Sequence, residues 1–588
     1  MCQLYTTIYN RWFGIFPPPH ITTWTGIGTS YCTRSYVLQN HSVPQTVPKS
    51  CKPPTIIKNR TLRLLSRKRH CWAEYKRTDN DGAYRQYKRI RNICTKAIRA
   101  DRLQYQTKLM DKFASNPKSL FRYAASLRQA KTGVSQLVAL NGPTNNHGDA
   151  AKLLAEQYSQ TFRPTNINFT DDSFVCDSTG LSEVNLSADL VFRKLQHLRL
   201  DTSPGPDMVH SAILREAASI LATPLSMMFS HSLSRGKLPE IWKPTHIAPI
   251  FKGSRRSEPS SYRPVALLSI PSKIMESLIC DGINDYLLSL NFLSPQQHGS
   301  RKGYSCVTNL LTAVDRWTSI LDHKGKADII YLDFSKAFDK VNHTCLINKP
   351  KRLCIIPPLI DWHTSYLKDR HFKVRVNFTL SQATECPSGV PQGLVLGPLL
   401  FLIYINDLPQ QVSSDLLFFA DDVKLWREIR NQDDMQALQE DLTRLQSWAD
   451  DNGLTFNTSK CKVVHLRHVA DYSYNLDNSS LVVSEVERDL GVLVPYDLKS
   501  YANCDKNAFR ANLALVTLKR IFGQFDGRTF HIIFNNFIRR HLEYGNIVFP
   551  SSLQKDKDTL ERIQRRATKS VRGLKFKPHE ERLLSFNL

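Results

Sequence analysis

Among the 13 cysteines of this 588-residue chain, no two stand in C-x-x-C spacing. That removes the pairing from which zinc knuckles are built, and scattered cysteines in so long a chain do not make a disulfide framework. Long apolar runs are missing too. The longest, Leu394 to Ile405, is 12 residues and contains Gly397 and Pro398, well short of the roughly 20 residues that cross a bilayer. Nothing at Met1 has the charged and apolar blocks of a secretory signal. No membrane partner and an intracellular location are therefore expected. Acidic residues are in short supply, 53 Asp+Glu against 79 Lys+Arg, for a formal net charge of +26.

That charge is uneven. Residues 52–131 hold 22 Lys+Arg against 5 Asp+Glu, and residues 506–588 hold 17 against 7. Residues 1–51 add +3, which leaves the middle slightly acidic. Two basic ends around an acidic centre suit a protein that grips a polyanion with its arms and binds cations in between. Basic helices with plain solvated faces are the bland alternative. Residues 1–51, with Pro17-Pro18-Pro19 and no sustained period, read as poorly ordered. Residues 58–113 read as two basic helices around an Asp79-Asn80-Asp81-Gly82 turn. Trp72, Tyr75, Tyr84 and Tyr87 fall on their apolar sides, as core rather than as a base-stacking platform. Asn116-Pro117 reads as the start of a further helix.

The chemistry centres on Phe419-Ala420-Asp421-Asp422. Leu416-Leu417-Phe418 before it and Val423 with Leu425-Trp426 after it predict a strand, a tight turn and a return strand. Two carboxylates side by side at a hairpin tip repel each other unless a cation sits beside them. A third carboxylate ends a short apolar run, Asp328-Ile329-Ile330-Tyr331-Leu332-Asp333, that reads as a buried strand. One strand-end Asp plus two hairpin Asp can hold two Mg²⁺ ions about 4 Å apart, the arrangement of in-line phosphoryl transfer. Oxygen ligands without His or Cys nearby favour Mg²⁺, with Mn²⁺ possible, over Zn²⁺.

Three segments in order carry a resemblance: Asp333-Phe334-Ser335-Lys336-Ala337-Phe338-Asp339, then Ser388-Gly389-Val390-Pro391-Gln392-Gly393, then Phe419-Ala420-Asp421-Asp422. They resemble motifs A, B and C of the reverse transcriptases of non-long-terminal-repeat (LINE-type) retrotransposons, of the jockey and chicken-repeat kind. The resemblance runs from about residue 58 to the C-terminus. It implies an α+β right-hand polymerase of fingers, palm and thumb, with a basic helical N-terminal extension and a helical C-terminal thumb region. The implied divisions are 1–51, a basic nucleic-acid-binding linker at 52–131, a pre-fingers region at 132–229, fingers and palm at 230–495, and a basic thumb at 496–588. The implied activity is RNA-directed DNA synthesis, with template RNA, a DNA primer and dNTPs as partners, in the nucleus or cytoplasm as a ribonucleoprotein. Nothing here resembles the endonuclease domain usual upstream of the polymerase: either the element is 5′-truncated or the sequence begins inside it, and an endonuclease acting in trans is one alternative.

By the same resemblance, Asp333, Asp421 and Asp422 hold the metal ions. Lys252, at the end of Ile247-Ala248-Pro249-Ile250-Phe251, and Arg263 hold the incoming triphosphate; without the neighbouring motifs they are two surface cations. Arg suits phosphate because its planar fork binds bidentately. Phe338 lies under the sugar of the nucleotide and excludes a 2′-hydroxyl, although by position alone it serves equally as core. Gln392 aligns the template, and Gly389 and Gly393 allow close backbone approach. Lys460 matches a lysine that protonates departing pyrophosphate, or is simply solvated. Asp489-Leu490-Gly491-Val492 resembles motif E, which grips the primer. Arg562, Arg565, Arg566 and Lys569 share one helix side suited to an RNA/DNA hybrid. Four positions depart from the pattern: Met208 for a glycine, Ser300 for an aromatic, Pro350 inside a helix and Leu394 for a serine. They support the rival reading of a catalytically decayed copy that at most binds RNA.

Overall fold

The computed structural model describes residues 56–113, 119–120, 122–123, 133–139, 142–162, 181, 183–253, 255–351, 355–390, 393–468, 472–523 and 525–586. The expectations for residues 1–51, for Asn116-Pro117 and for Gln392 lie outside them. The described residues divide into two compact units, one within Thr132–Leu498, the other combining those of 56–131 with those of Lys499–Leu588. Among the described residues no helix is long and apolar enough to cross a membrane.

The first unit carries ten strands that matter here: β1 (Thr245–Phe251), β2 (Tyr262–Leu267), β3 (Ala327–Asp333), β4 (His371–Val376), β5 (Asp415–Phe419), β6 (Asp422–Glu428), β7 (Lys462–Leu466), β8 (Val482–Val483), β9 (Val486–Asp489) and β10 (Val492–Pro495). One sheet has the order β8-β7-β3-β6-β5, and β3 lies at its centre between antiparallel neighbours. That position explains the near-continuous apolar reading of β3, since a central strand covered on both faces buries alternate and intervening residues alike. Ile329 and Ile330 have no exposed surface. Helix Gln432–Asp451 covers part of the sheet. It starts on a capping box in which Asn431 and Asp434 satisfy each other's backbone N–H, and it buries Leu438, Leu442 and Leu445 at i, i+4 and i+7. A second sheet, β2-β1-β4 extended by Thr379–Leu380, brings β1 and β2 together as an antiparallel hairpin. Strands and helices interleave in one core, the α+β class expected.

Met208, where a glycine was expected, sits at φ 58° and is 56% exposed. The turn before it presses close: a Cβ on Gly205 would lie 2.3 Å from the Leu268 carbonyl oxygen. Asp207 beside it is buried and accepts from Ser269 Oγ at 2.5 Å. The chain thus adopts the left-handed turn with a side chain in place. Ser300 is also left-handed, at φ 50°. The aromatic contact it lacks is made by Tyr304, under the Arg301 guanidinium at 4.4 Å. Leu394 is buried in the main core, and Pro350 falls in the last turn of helix His343–Lys351, where it cannot donate to the carbonyl four residues back.

The second unit joins both basic ends of the chain. Helices Asn59–Thr78 and Asp81–Asp111 form an antiparallel pair, with Asp79 in the left-handed conformation and Asn80 capping Gly82 N. Leu109, Met110 and Tyr123 share a core with Leu515, Phe530, Ile538 and Ile563 of the C-terminal helices. The aromatic stripe differs from expectation. The two-helix core is only Cys71, Ile90 and Cys94 with partly buried neighbours, and Trp72 is 40% exposed, with rings of Tyr75 and Tyr87 within 5.5 and 4.7 Å. Small buried side chains bring the two helices together and leave no interior wide enough for the rings.

Replacing Met208 by glycine should stabilise the protein by roughly 0.5–1 kcal/mol, the cost of a left-handed side chain less the extra unfolded-state freedom of glycine. Denaturant midpoints measure it. A drop in stability would show instead that the exposed Met208 side chain contributes packing.

Candidate active site

Strand pairing alone assembles the three carboxylates. In the antiparallel β3/β6 ladder, Asp333 is the direct cross-strand partner of Asp422, so their side chains leave the same face as neighbours. Phe419 and Asp422 close the β5/β6 hairpin, leaving Ala420 and Asp421 as its two-residue turn. Ala420 takes φ 55°, a conformation that costs a residue with a Cβ and persists only where the surroundings enforce it. The enforcement is visible. Gln297 Oε1 accepts from Ala420 N at 3.0 Å and from Gly299 N at 2.6 Å. Phe418 exchanges backbone hydrogen bonds with the 296–298 segment, its N donating to the Gln296 oxygen and its oxygen accepting from His298 N. A Cβ on Gly299 would lie 2.3 Å from Ala420 N, so only glycine lets that segment approach the turn.

The carboxylates repel one another. Burial first, then Asp421, Asp333 and Asp489, pushes the Asp422 carboxyl up to about 6, with Lys424 pulling the other way. Asp422 keeps solvent at its tip while cavity walls crowd it. Burial and Asp333 likewise raise Asp421, against the pull of its own backbone N–H, Arg263 and Lys252. An all-oxygen donor set carrying unneutralised charge fits hard divalent cations, and Asp333, Asp421 and Asp422 are the residues that would hold them.

Cations ring the cluster. Lys460 Nζ lies 2.7 Å from Asp333 Oδ2. Its loop is stitched to the end of β3 by Asn457 N donating to the Asp333 oxygen at 2.7 Å, Ser335 N donating to the Thr455 oxygen, and Phe334 stacked on Phe456 at 4.4 Å. Lys252 follows β1, and Arg263 lies on β2 opposite Ile250. Burial, then Arg263 and Lys460, lower the Lys252 ammonium, while Asp421 and Asp422 raise it. Both fingers cations therefore sit within electrostatic reach of the hairpin carboxylates.

Phe338 is half-buried, its ring stacked on Phe401 at 4.4 Å. Its carbonyl accepts from Val390 N at 2.8 Å. Gly389, at φ 84°, comes so near the same turn that a Cβ would lie 2.6 Å from the Asp339 oxygen. Gly393, at φ 105°, lies so near β2 that a Cβ on it would be 3.0 Å from the Ala266 oxygen. The two glycines thus join the segment around Gln392 to motif A on one side and to the β1/β2 hairpin on the other. Arg562, Arg565, Arg566 and Lys569 are exposed on one side of helix Gln554–Thr568 and its end, in the second unit. Arg565 pairs with Glu561 at 2.9 Å, and Arg566 donates to Asn512 at 2.8 Å.

A cavity of about 370 Å³ opens beside Asp333 and Asp422, bounded also by Lys460, Lys462, Glu487 and Asp489. Its far wall belongs to the β9/β10 hairpin, whose turn is Leu490-Gly491. Lys424 and Asp489 form an ion pair there with both side chains buried, 4% and 5% exposed. Sequence reasoning missed this pair. A lysine between Val423 and Leu425 in an otherwise apolar strand was the available signal, since a buried ammonium demands a counter-charge. Removing one partner of such a pair costs about 3–5 kcal/mol. Glu276, fully buried, was missed too; it accepts from Val395 N at 3.0 Å and holds the loop after Gly393.

A central sheet with three carboxylates at one strand end and one hairpin tip, faced by two cations of a neighbouring hairpin, has the arrangement of a polymerase palm. Residues 250–493 match the family model described as reverse transcriptase (RNA-dependent DNA polymerase). The chain is 34% identical over 268 residues to the probable RNA-directed DNA polymerase from transposon BS of Drosophila melanogaster, covering 44% of this chain and 30% of that protein. It is 33% identical over 265 residues to the corresponding polymerase from transposon X-element of the same fly, 44% of this chain and 29% of that one. The RNA-directed DNA polymerase from mobile element jockey of that fly is 28% identical over 438 residues, 69% of this chain and 47% of its own. The chain spans between about a third and a half of the length of these relatives.

Asp422 supplies a pH test in metal-free buffer. Its folded-state pKa lies above the ordinary 3.8, so its contribution to stability is full below that value and is lost as pH rises through about 6. The melting temperature of the wild type should therefore fall relative to Asp422→Asn across that window, and a divalent cation should remove the difference. Parallel melting curves for the two proteins would show that no such repulsion exists.

Proposed function

We propose that the chain is an RNA-directed DNA polymerase that copies retrotransposon RNA into DNA, using Mg²⁺ at Asp333, Asp421 and Asp422. The cross-strand pairing of Asp333 with Asp422, with Asp421 in the adjoining turn, carries this reading. Divalent cations bound there supply activation of the primer 3′-hydroxyl and neutralisation of the departing pyrophosphate. The protein's own groups do the rest. Lys252 and Arg263 approach the carboxylates from the β1/β2 hairpin and clamp the triphosphate of a dNTP. Lys460, free to exchange its Asp333 contact for a phosphate oxygen, donates the proton that the leaving group needs. Gln392 and Gly393 border the base pair. The primer end enters the cavity beside Asp333, against the Asp489-Leu490-Gly491-Val492 hairpin. The basic helices of the second unit, with Arg562, Arg565, Arg566 and Lys569, hold the template RNA and the hybrid through their phosphates.

Purified protein given poly(rA)/oligo(dT), Mg²⁺ and dTTP should extend the primer. Asp421→Asn should lower synthesis by on the order of 10³-fold or more, the scale of lost electrostatic stabilisation at a reacting centre, while filter binding shows RNA affinity retained. Extension by Asp421→Asn at the wild-type rate would overturn the assignment.

Phe338 offers a separate check on sugar choice. One face of its ring is packed on Phe401 and the residue remains half-exposed, so it can lie beneath a bound sugar. Phe338→Val should narrow the preference for dNTP over rNTP by roughly 10–200-fold, the scale on which a small steric contact discriminates. The change should come from improved rNTP use. Equal losses in kcat/KM for both nucleotides with a lower melting temperature would assign Phe338 to packing alone.

A further inference from the structure

The strand that ends at Asp333 begins beside a second group of ligand-type side chains. Asp328 has no exposed surface, and two imidazoles converge on one of its oxygens: His465 Nδ1 at 2.6 Å and His468 Nε2 at 2.7 Å from Oδ1. The three donor atoms lie within 4.8 Å of one another. The side chains of His465 and His468 are only 6% and 9% exposed. His465 projects from β7, the cross-strand partner of Asp328. His468 is brought back toward it by a left-handed Arg467, φ 57°, a strained backbone of the sort retained where the surroundings require it.

We propose that Asp328, His465 and His468 supply three ligands of a Zn²⁺ site whose fourth position is taken by water, distinct from the carboxylates at the other end of the strand. Asp333 lies five residue steps along β3 from Asp328, about 17 Å of extended chain. The donor sets differ in kind: two nitrogens and one oxygen suit zinc, whereas three carboxylates suit magnesium. Tetrahedral bonds of about 2.0 Å put ligand atoms roughly 3.3 Å apart, so the observed contacts need open by only about 0.6 Å, within reach of small side-chain rotations. An outer shell is present, since Tyr474 donates its hydroxyl to the other Asp328 oxygen at 2.6 Å and so orients the carboxylate as metal ligands are usually oriented. Burial would raise the Asp328 carboxyl, but hydrogen bonds from His465, His468 and Tyr474 outweigh it and hold it at about 2, ionised and ready to coordinate. The ion would clip the start of β3 to the end of β7 and to the turn beyond. In that way it would fix the strand whose other end carries Asp333.

The test uses the full chain without a polyhistidine tag, dialysed against Mg²⁺ buffer, with metal content read by plasma mass spectrometry. Wild type should retain stoichiometric zinc, while Asp328→Asn and His468→Gln should each lose it. Co²⁺ exchanged into the wild type should show the visible bands of a nitrogen- and oxygen-ligated tetrahedral ion. A zinc chelator should lower the melting temperature of the wild type, with recovery on adding Zn²⁺ but not Mg²⁺. Wild-type protein that holds no zinc and takes up no Co²⁺ overturns the proposal. So does zinc that persists in His468→Gln, or a Co²⁺ spectrum with thiolate charge transfer, which would move the ion to cysteine. Should a variant fail to fold, the wild-type zinc content and Co²⁺ spectrum decide alone.

Discussion

Mutual repulsion of three carboxylates is the constraint around which the first unit is organised. Side chains of like charge would part if their backbones were free to move. Here they cannot, because Asp333 and Asp422 are locked opposite each other by a seven-residue antiparallel ladder and Asp421 is fixed by a two-residue turn. The ladder holds because β3 is central and wholly apolar in its middle, so slipping the register by one residue would turn its buried face to the other side. Hydrophobic burial some distance away thus maintains an electrostatic arrangement that is unfavourable in isolation. The β5/β6 turn completes this. Gln297 and the glycine at 299 hold Ala420 in a conformation that its side chain opposes, and the cost is carried by the core.

The same logic extends outward to the cations. Lys460, Lys252 and Arg263 come from three different loops or strands, and each is anchored by backbone hydrogen bonds rather than by its own charge. Lys424 differs from them. It lies inside the protein, paired with Asp489, and fixes the β9/β10 hairpin against the sheet. Exposed cations can exchange partners when a charged substrate arrives. A buried one cannot, so it belongs to the framework.

Much of this was legible in the sequence because the relevant signals are local. A β-branched run ending in Asp, and a pair of Asp between apolar segments, predict strand ends and a hairpin tip with little else needed. The hairpin of basic helices was readable from Asp79-Asn80-Asp81-Gly82. Met208 could be marked as departing from a glycine, but not that it would accept the glycine's conformation, which depends on Gly205 wedged against Leu268. Partnerships across long separations were hidden. Nothing in the strand sequences couples Asp328 to His465, 137 residues away, or Lys424 to Asp489, 65 residues away. The exposure of Trp72 was misjudged because a helical stripe of aromatics reads as core. The stripe carries no information on how narrow the partner helix's apolar face is.

Joining the chain's two basic ends in one unit has a consequence for how the protein is made. Gln106 donates to the Ile521 carbonyl across 415 residues of sequence, and Leu109 and Met110 share their core mostly with residues of the C-terminal helices. During translation these side chains leave the ribosome long before anything exists to cover them. They must wait through synthesis of the entire palm, exposed as a chaperone substrate would be. The wait itself adds little free energy, because loop-closure entropy grows only logarithmically with length. A chain cut short between the palm strands and the last helices would instead have a complete palm and a sticky, unfinished amino-terminal arm. Such a product would expose that arm first, because its covering residues lie at the far end of the chain.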